Sequence, residues 1–207
     1  MTEYSFLIAI AGVLFIGAMS PGPSFLVVAQ NALSKSRAHG IATAIGTGLG
    51  VSLFAVLASY GVTTLLENVP SAYVVFKLLG GAYLLYLAWR IWGGAKHTLV
   101  IQGDEARAVN GGLFTAFVLG FLTQVSNPKT ALVIAGIFAA FIPAEPPVYT
   151  TVIVAVVAFV IDFSWYALVA IGLSIEKIRR GYKSAKTSFD RAASVFLAAV
   201  GLKLLLS

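Results

Sequence analysis

The chain has 207 residues and a formal net charge of +6; hydrophobic residues make up 59% of it and charged residues only 11%. A soluble domain carries about 25% charged residues, so this composition argues against a soluble protein and excludes a disordered chain. The absence of Cys excludes disulfides and thiolate metal sites. In a membrane protein the positive charge is explained by cytoplasmic loops, and no nucleic-acid partner is expected.

Six apolar runs follow one another along the chain, each near the length of about 20 residues that a membrane-spanning helix needs. The alternation of a membrane β-barrel is absent, so every run is expected to be helical. The predicted spans are residues 4–33, 40–66, 71–92, 111–141, 148–174 and 189–206.

The segments between the spans alternate in charge. Basic residues follow spans one, three and five, whereas only acidic residues follow spans two and four. The positive-inside rule then places the three basic loops in the cytoplasm and both termini outside. The basic segment 176–186 is interpreted as such a loop, with a lipid or nucleic-acid site as the alternative. The charges are Lys35, Arg37, Glu67, Lys96, Asp104, Glu105, Arg107, Glu145, Lys177, Arg179, Arg180, Lys183 and Lys186.

Spans one and four are each interrupted near the middle, by SPGP (20–23) and by SNPK (126–129). Aligned on the two serines, SPGPSFLVVA lies over SNPKTALVIA, and each break falls in the first span of a three-span half. Because three is odd, the second half must enter the membrane from the opposite side. The sequence therefore predicts one all-α integral membrane domain (1–207) of six transmembrane helices in two inverted repeats, 1–95 and 108–207, the architecture of secondary transporters.

Each break is expected to start a new half-helix, because proline ends one helix and suits the first turn of the next. Two helix N-termini meeting near the membrane centre would attract a carboxylate; the alternative is that both breaks are packing kinks. Ser24 and Asn31 share one face of the first half-helix. The predicted substrate-binding residues are Ser20, Pro21, Gly22, Pro23, Ser24, Asn31, Gln124, Asn127, Pro128, Lys129 and Trp165.

Lys129 and Asp162 are the charged residues expected deep in the bilayer, where each costs about 2.5–3.5 kcal/mol on insertion scales. We expect them to face one cavity. Lys129 would compensate Asp162 or the carboxylate of the substrate, and Asp162 would bind the ammonium of the substrate or carry the coupled proton. A static salt bridge is the alternative. Trp165 and Tyr166 follow Asp162 on the same helix face.

Small residues recur at four-residue spacing in span two, at Ala42, Gly46 and Gly50. This spacing predicts close helix packing. A phosphate-binding loop is the alternative, but the GxxxxGKS or GxxxxGKT pattern that it needs is absent.

SPGP with the following QNALSKSRAHG, and the later NPK motif (127–129), resemble the lysine exporter/homoserine–threonine exporter family. The segment RRGYKSAKTSFDRAASVFLAAVGLKLLL (179–206) is similar to its threonine-exporter branch. The resemblance implies a multi-pass protein of the bacterial inner membrane that exports amino acids on the proton motive force. It carries the family motifs onto Pro21, Gly22, Pro23, Asn127, Pro128, Lys129 and Asp162.

These observations predict a secondary exporter of small neutral amino acids, threonine- or homoserine-like, or of their derivatives. Protons and the bilayer are its expected partners; no cofactor, metal or enzymatic activity is expected, and a homo-oligomer is left open. A divalent cation transporter would need several oxygen ligands, and Asp162 is the only acidic residue expected deep. An intramembrane enzyme or assembly factor would need a nucleophile with a base, or a motif such as HExxH.

Overall fold

The computed structural model describes residues 6–68, 70–95, 111–143, 145–173 and 175–206. The predicted span ends Tyr4 and Ser174 and the loop charges Lys96, Asp104, Glu105 and Arg107 lie outside these residues. Within them the chain forms eight helices and no strand. The helices are α1 (Phe6–Met19), α2 (Pro23–Ser34), α3 (Arg37–Asn68), α4 (Pro70–Gly94), α5 (Leu113–Val125), α6 (Pro128–Phe141), α7 (Thr150–Gly172) and α8 (Glu176–Leu206).

The two predicted breaks are confirmed. The first apolar run forms α1 and α2, which are bent by 57° relative to each other, and the fourth run forms α5 and α6. Pro23 and Pro128 occupy the first turn of α2 and of α6, where the missing N–H of proline costs no intrahelical hydrogen bond.

The helices agree with an integral membrane protein. Among the residues described, α3 and α7 are long and apolar enough to cross a bilayer, the bent pair α1–α2 would make a third span, and α5 and α6 are shorter apolar helices. Large apolar side chains such as Ile8, Leu57 and Trp89 are exposed on the outside, as lipid contact requires. The complete six-span inverted repeat stays a prediction.

The start of the last helix differs from the sequence-based expectation. The segment 176–186 is the first third of α8 and not a loop. It is rich in Lys and Arg and contains no proline, so it favours continued helix. As a result Lys186 and Asp190 lie one turn apart on the same helix, where side chains four residues apart meet.

Glycines set the close contacts of α3 with α5. A methyl group at Gly46 would overlap the carbonyl oxygen of Phe117, and one at Gly120 would overlap that of Thr43. At Gly50 a methyl group would lie 2.7 Å from Cβ of Gln124. The predicted packing role of Gly46 and Gly50 is confirmed, and Gly50 provides the space in which Gln124 sits.

Two hydrophobic cores meet along α7. Ala158 belongs to the larger core, which draws on α1, α3, α4, α6 and α8 as well, and Tyr166 belongs to the smaller core around α2. Asp162 lies one helical turn from each of them and is itself buried. The fold thus places an acidic side chain at the junction of its two apolar cores, where only a functional or well-satisfied group is retained.

Candidate functional site

The two breaks lie side by side. Nζ of Lys129, in the first turn of α6, is 3.7 Å from the position that a Cβ of Gly22 would occupy. Gly22 is the N-cap residue that directly precedes α2, so the N-termini of both half-helices border the same space.

The two N-termini are capped differently. The side-chain oxygen of Asn127 accepts a hydrogen bond from the backbone N–H of Lys129 at 3.1 Å, which caps α6. Gly22 offers α2 no side-chain cap. The positive end of the α2 dipole therefore faces the break without a side-chain acceptor from its own cap.

Two cavities meet at the breaks. The smaller, called the deep cavity here, reaches Asp162 and has a volume of about 60 Å³. The larger, called the vestibule, reaches Asp190 and has a volume of about 480 Å³. The first has room for a few water molecules, whereas the second lies within the range of small-molecule sites, about 300–1,000 Å³. The polar residues of the deep cavity are Ser20, Ser24, Gln124, Asn127, Lys129, Thr130, Asp162 and Tyr166. The vestibule is lined by Ser20, Pro21, Gly22, Pro23, Tyr83, Tyr86, Leu87, Arg90, Ile91, Gly94, Asn127, Pro128, Lys129, Lys186 and Asp190.

A chain of buried side chains runs along the deep cavity. Ser24 donates a hydrogen bond to Oε1 of Gln124, and Nε2 of Gln124 donates to Oδ1 of Asp162 at 3.4 Å. The hydroxyl of Thr47 lies beside this carboxyl but donates to the carbonyl of Ala44 at 3.0 Å. Oδ2 of Asp162 accepts no hydrogen bond from the residues described. Oδ2 is therefore the open end of this hydrogen-bonded series of side chains.

A second buried carboxyl, Asp190, borders the vestibule. Its Oδ1 accepts from the hydroxyl of Ser20 at 3.2 Å, and its Oδ2 forms an ion pair with Lys186 at 2.7 Å. Lys186 also donates to the carbonyl oxygens of Gly94 and Ala95 at 3.3 and 3.4 Å. Asp190 therefore links the break between α1 and α2 to α8, and through Lys186 to the C-terminus of α4.

Lys129 borders both cavities. Its Nζ forms no hydrogen bond or ion pair with a described residue, and the charge that acts on it is that of Asp190. Lys129 and Asp162 face the same deep cavity, as expected, but no salt bridge joins them. The charged end of Lys129 is therefore available to a ligand.

Most predicted site residues come together at the two cavities. Two of them, Asn31 and Trp165, do not border either cavity. The amide of Asn31 donates to the hydroxyl of Thr43 at 3.0 Å, which ties α2 to α3. Trp165 packs edge-on against Phe15 of α1, with ring centroids 5.8 Å apart.

Among the residues described, Asp162 is not the only acidic side chain buried inside the protein. Asp190 is 4% exposed and Asp162 is 6% exposed. The predicted last span, 189–206, includes Asp190, but the predicted site residues do not include Asp190, Lys186, Arg90, Tyr83 or Tyr86. The four-residue spacing of Lys186 and Asp190, typical of a helical ion pair, was the available signal.

A site for a divalent cation usually brings several oxygen ligands, carboxylates among them, to one cavity. Asp162 and Asp190 border different cavities, and no group of three His, Asp or Glu side chains occurs in the described ranges. Calcium takes about six to eight oxygen ligands. The geometry gives no support to the alternative of a cation transporter.

Comparison with known proteins gives a consistent result over nearly the whole chain. The family model described as LysE type translocator matches residues 15–207. The threonine efflux protein of Escherichia coli (strain K12) is 28% identical over 204 residues, 97% of each chain, and that of Salmonella typhi is 26% identical over 200 residues, 96% of each. The uncharacterized membrane protein YahN of Escherichia coli (strain K12) is 24% identical over 194 residues, 94% of this chain and 86% of that one. No solved structure gives a significant match.

Proposed function

Because the chain belongs to the LysE type translocator family, and is therefore a membrane transporter and not an enzyme, we propose that it exports small neutral amino acids by proton antiport. The full-length similarity to threonine efflux proteins supports a threonine- or homoserine-like substrate or derivative. The organisms of these relatives support location in a bacterial inner membrane.

The proposed architecture is six spans in two inverted repeats, 1–95 and 108–207. Part of the pattern of helix contacts supports it. If α1 to α4 correspond to α5 to α8, the contact of α1 with α6 is equivalent to that of α5 with α2, and both occur. The contacts of α3 with α7 and of α4 with α8 are then self-equivalent. At the α4–α8 crossing, methyl groups at Gly81 and Gly201 would each approach the carbonyl oxygen of the other glycine, at 3.0 and 2.8 Å, as expected near a two-fold axis.

The observation that carries the proposal is the meeting of the two breaks around shared cavities. Lys129 and the uncapped N-terminus of α2 supply positive charge for a carboxylate. Asp162, with one oxygen free, supplies an acidic group for the ammonium or for the coupled proton. Ser20, Ser24, Gln124 and Asn127 would add hydrogen bonds. Helix breaks of this kind in both halves mark the midplane sites of secondary transporters.

The vestibule indicates the side from which the substrate enters. It lies between the end of α4 and the first third of α8, beside Arg90, Gly94 and Lys186. The loop charges favour a cytoplasmic location for these helix ends, which supports a cytoplasm-facing state. Rocking of the two halves around the site would then expose the substrate outside.

Flux measurements in inverted membrane vesicles test the proposal. Export appears there as uptake into the lumen, and an acidic lumen supplies the driving gradient. We expect uptake of one or more of L-threonine, L-homoserine, L-serine and L-alanine that depends on the gradient and is absent from vesicles without the protein. Equal uptake with and without the protein for a broad amino-acid panel would refute the proposal.

A further inference from the structure

We propose that a zwitterionic amino acid binds in the vestibule with its ammonium group on Asp190 and its carboxylate on Lys129, which leaves Asp162 free to carry the coupled proton. The inference rests on the proposed export function and adds to it a residue and a division of roles between the two buried carboxyls. It also restricts the substrate to amino acids without an additional positive charge.

Asp190 has the position and the spare capacity for an ammonium ligand. It is buried, it borders the larger cavity, and its oxygens accept from Ser20 and Lys186. An ionised carboxylate has about four acceptor sites, so about two stay open. The existing partners hold the carboxylate in one orientation, which reduces the cost of ordering it when a ligand binds.

Lys129 provides the opposite charge across the same cavity. It interacts electrostatically with Asp190, yet the two form no direct ion pair. A zwitterion placed between them replaces this indirect interaction with two charge-assisted hydrogen bonds, one at each end. The uncapped N-terminus of α2, next to Lys129, adds to the attraction for the carboxylate.

The remaining charges of the vestibule select against cationic substrates. Lys186 is held by Asp190 and by the end of α4, and the guanidinium of Arg90 lies over the ring of Tyr86, 5.9 Å from its centroid. Three basic side chains therefore border a cavity that contains one acidic side chain among its lining residues. A lysine- or arginine-like substrate would bring a further positive charge to this surface.

Asp162 differs from Asp190 in the space beside it. The deep cavity holds a few water molecules, and one oxygen of Asp162 already accepts from Gln124. The free oxygen can exchange a proton with such water, whereas the vestibule is the cavity with room for an amino acid. The geometry thus distinguishes Asp190, the carboxyl that binds the substrate, from Asp162, the carboxyl that carries the proton.

The test compares binding of L-threonine with binding of 2,3-dihydroxybutanoate, which has a hydroxyl in place of the ammonium, by calorimetry on the purified protein. The main variant is the double substitution Asp190→Asn/Lys186→Gln, because it removes both members of the ion pair together, so that neither is left buried without the other. L-Alanine and L-lactate form a second probe pair. Asp190→Glu serves as the conservative variant.

We expect the wild type to prefer the amino acid by about 10- to 100-fold, the range of a charge-assisted hydrogen bond. The double variant should lose this preference, Asp190→Glu should retain most of it, and Asp162→Asn should retain it while losing proton-driven export. A double variant that keeps the preference would show that Asp190 only neutralises Lys186. Loss of the preference in Asp162→Asn would move the ammonium to Asp162.

Lys129→Met provides an independent readout if the double variant does not fold. It should weaken binding of both members of a probe pair by a similar factor, because both carry the carboxylate. Unchanged affinity for both would overturn the inference while leaving export intact. A wild-type protein that neither binds nor transports any of the probes would instead overturn the proposed function, and the inference with it.

Discussion

Ser24 at the start of α2 and Asp162 in the middle of α7 are joined through one side chain. The amide of Gln124 accepts from the hydroxyl of Ser24 and donates to the carboxyl of Asp162 at 3.4 Å. All three side chains are buried: Ser24 is 3% exposed, Gln124 is 2% exposed and Asp162 is 6% exposed. This connection orients the amide of Gln124 and thereby fixes the oxygen of Asp162 that stays free.

Ser24→Ala should lower stability, since it leaves the buried carbonyl oxygen of Gln124 without its donor. The expected loss is about 1–3 kcal/mol in the free energy of unfolding. The matched control is Ser34→Ala, on the same helix, where an exposed hydroxyl donates to the carbonyl of Gln30; its effect should stay within about 0.5 kcal/mol. Denaturant unfolding in detergent measures both, and equal effects would contradict the proposed strength of the buried contact.

Asp162→Asn should uncouple transport from protons. Asparagine keeps an oxygen to accept from Gln124 and nearly the same volume, but it cannot carry a proton. Uptake driven by a pH gradient should fall at least about tenfold, in line with loss of a proton-transfer group, while exchange of labelled for unlabelled amino acid persists without a gradient. Full gradient-driven uptake would exclude Asp162 as the proton carrier.

Lys186→Met should destabilise the contact of α8 with the end of α4. Breaking a buried ion pair by removing one partner costs about 3–5 kcal/mol, and we expect the lower end because Lys129 also acts on Asp190. Lys203→Met is the control, because Lys203 is exposed on the same helix and lies over the ring of Phe141. If both variants unfold at the same denaturant concentration, the ion pair has no structural role.

Gly46→Ala should disturb the crossing of α3 and α5, because the methyl group would overlap the backbone of Phe117. Overpacking of this kind costs about 1–3 kcal/mol. Gly61→Ala, on the same helix but with open space around it, should instead leave stability unchanged or raise it by up to about 1 kcal/mol. Thermal unfolding of both variants measures this difference. A Gly46→Ala protein as stable as the wild type would contradict the close approach of α3 and α5.

The sequence predicts features that depend on local chemistry. Proline chemistry locates the starts of α2 and α6 within the two breaks, and the glycine spacing of span two predicts a close helix contact, which α5 makes. The amino-acid sequence does not predict which buried charges approach one another. Lys129 and Asp162 face one cavity without an ion pair, and the carboxyl of Asp190, to which the sequence analysis gives no role, acts on Lys129 as well. That outcome depends on how α6, α7 and α8 pack, which no local pattern encodes.

The expected loop at 176–186 and the absence of Asp190 from the predicted site have a single physical origin. Charged side chains are unfavourable in lipid, so the sequence favours a loop at 176–186 and gives Asp190 no role. In the structure Lys186 and Asp190 satisfy each other, and Lys186 reaches the open carbonyls at the end of α4. Tertiary contacts thereby remove the cost that a hydropathy profile assigns to these residues.

Substrate protection of a single introduced thiol tests the central claim most directly. The chain contains no Cys, so Ser20→Cys places the only thiol of the protein where both cavities meet, and Ser34→Cys, exposed at the end of α2 and outside both cavities, serves as control. In vesicles that transport the amino acid, a small water-soluble thiol reagent should modify Ser20→Cys, and a saturating amount of the transported amino acid should slow that modification at least about tenfold; Ser34→Cys should show no such protection. A transport-active Ser20→Cys protein that is modified at the same rate with and without substrate would contradict a substrate pathway between the two breaks.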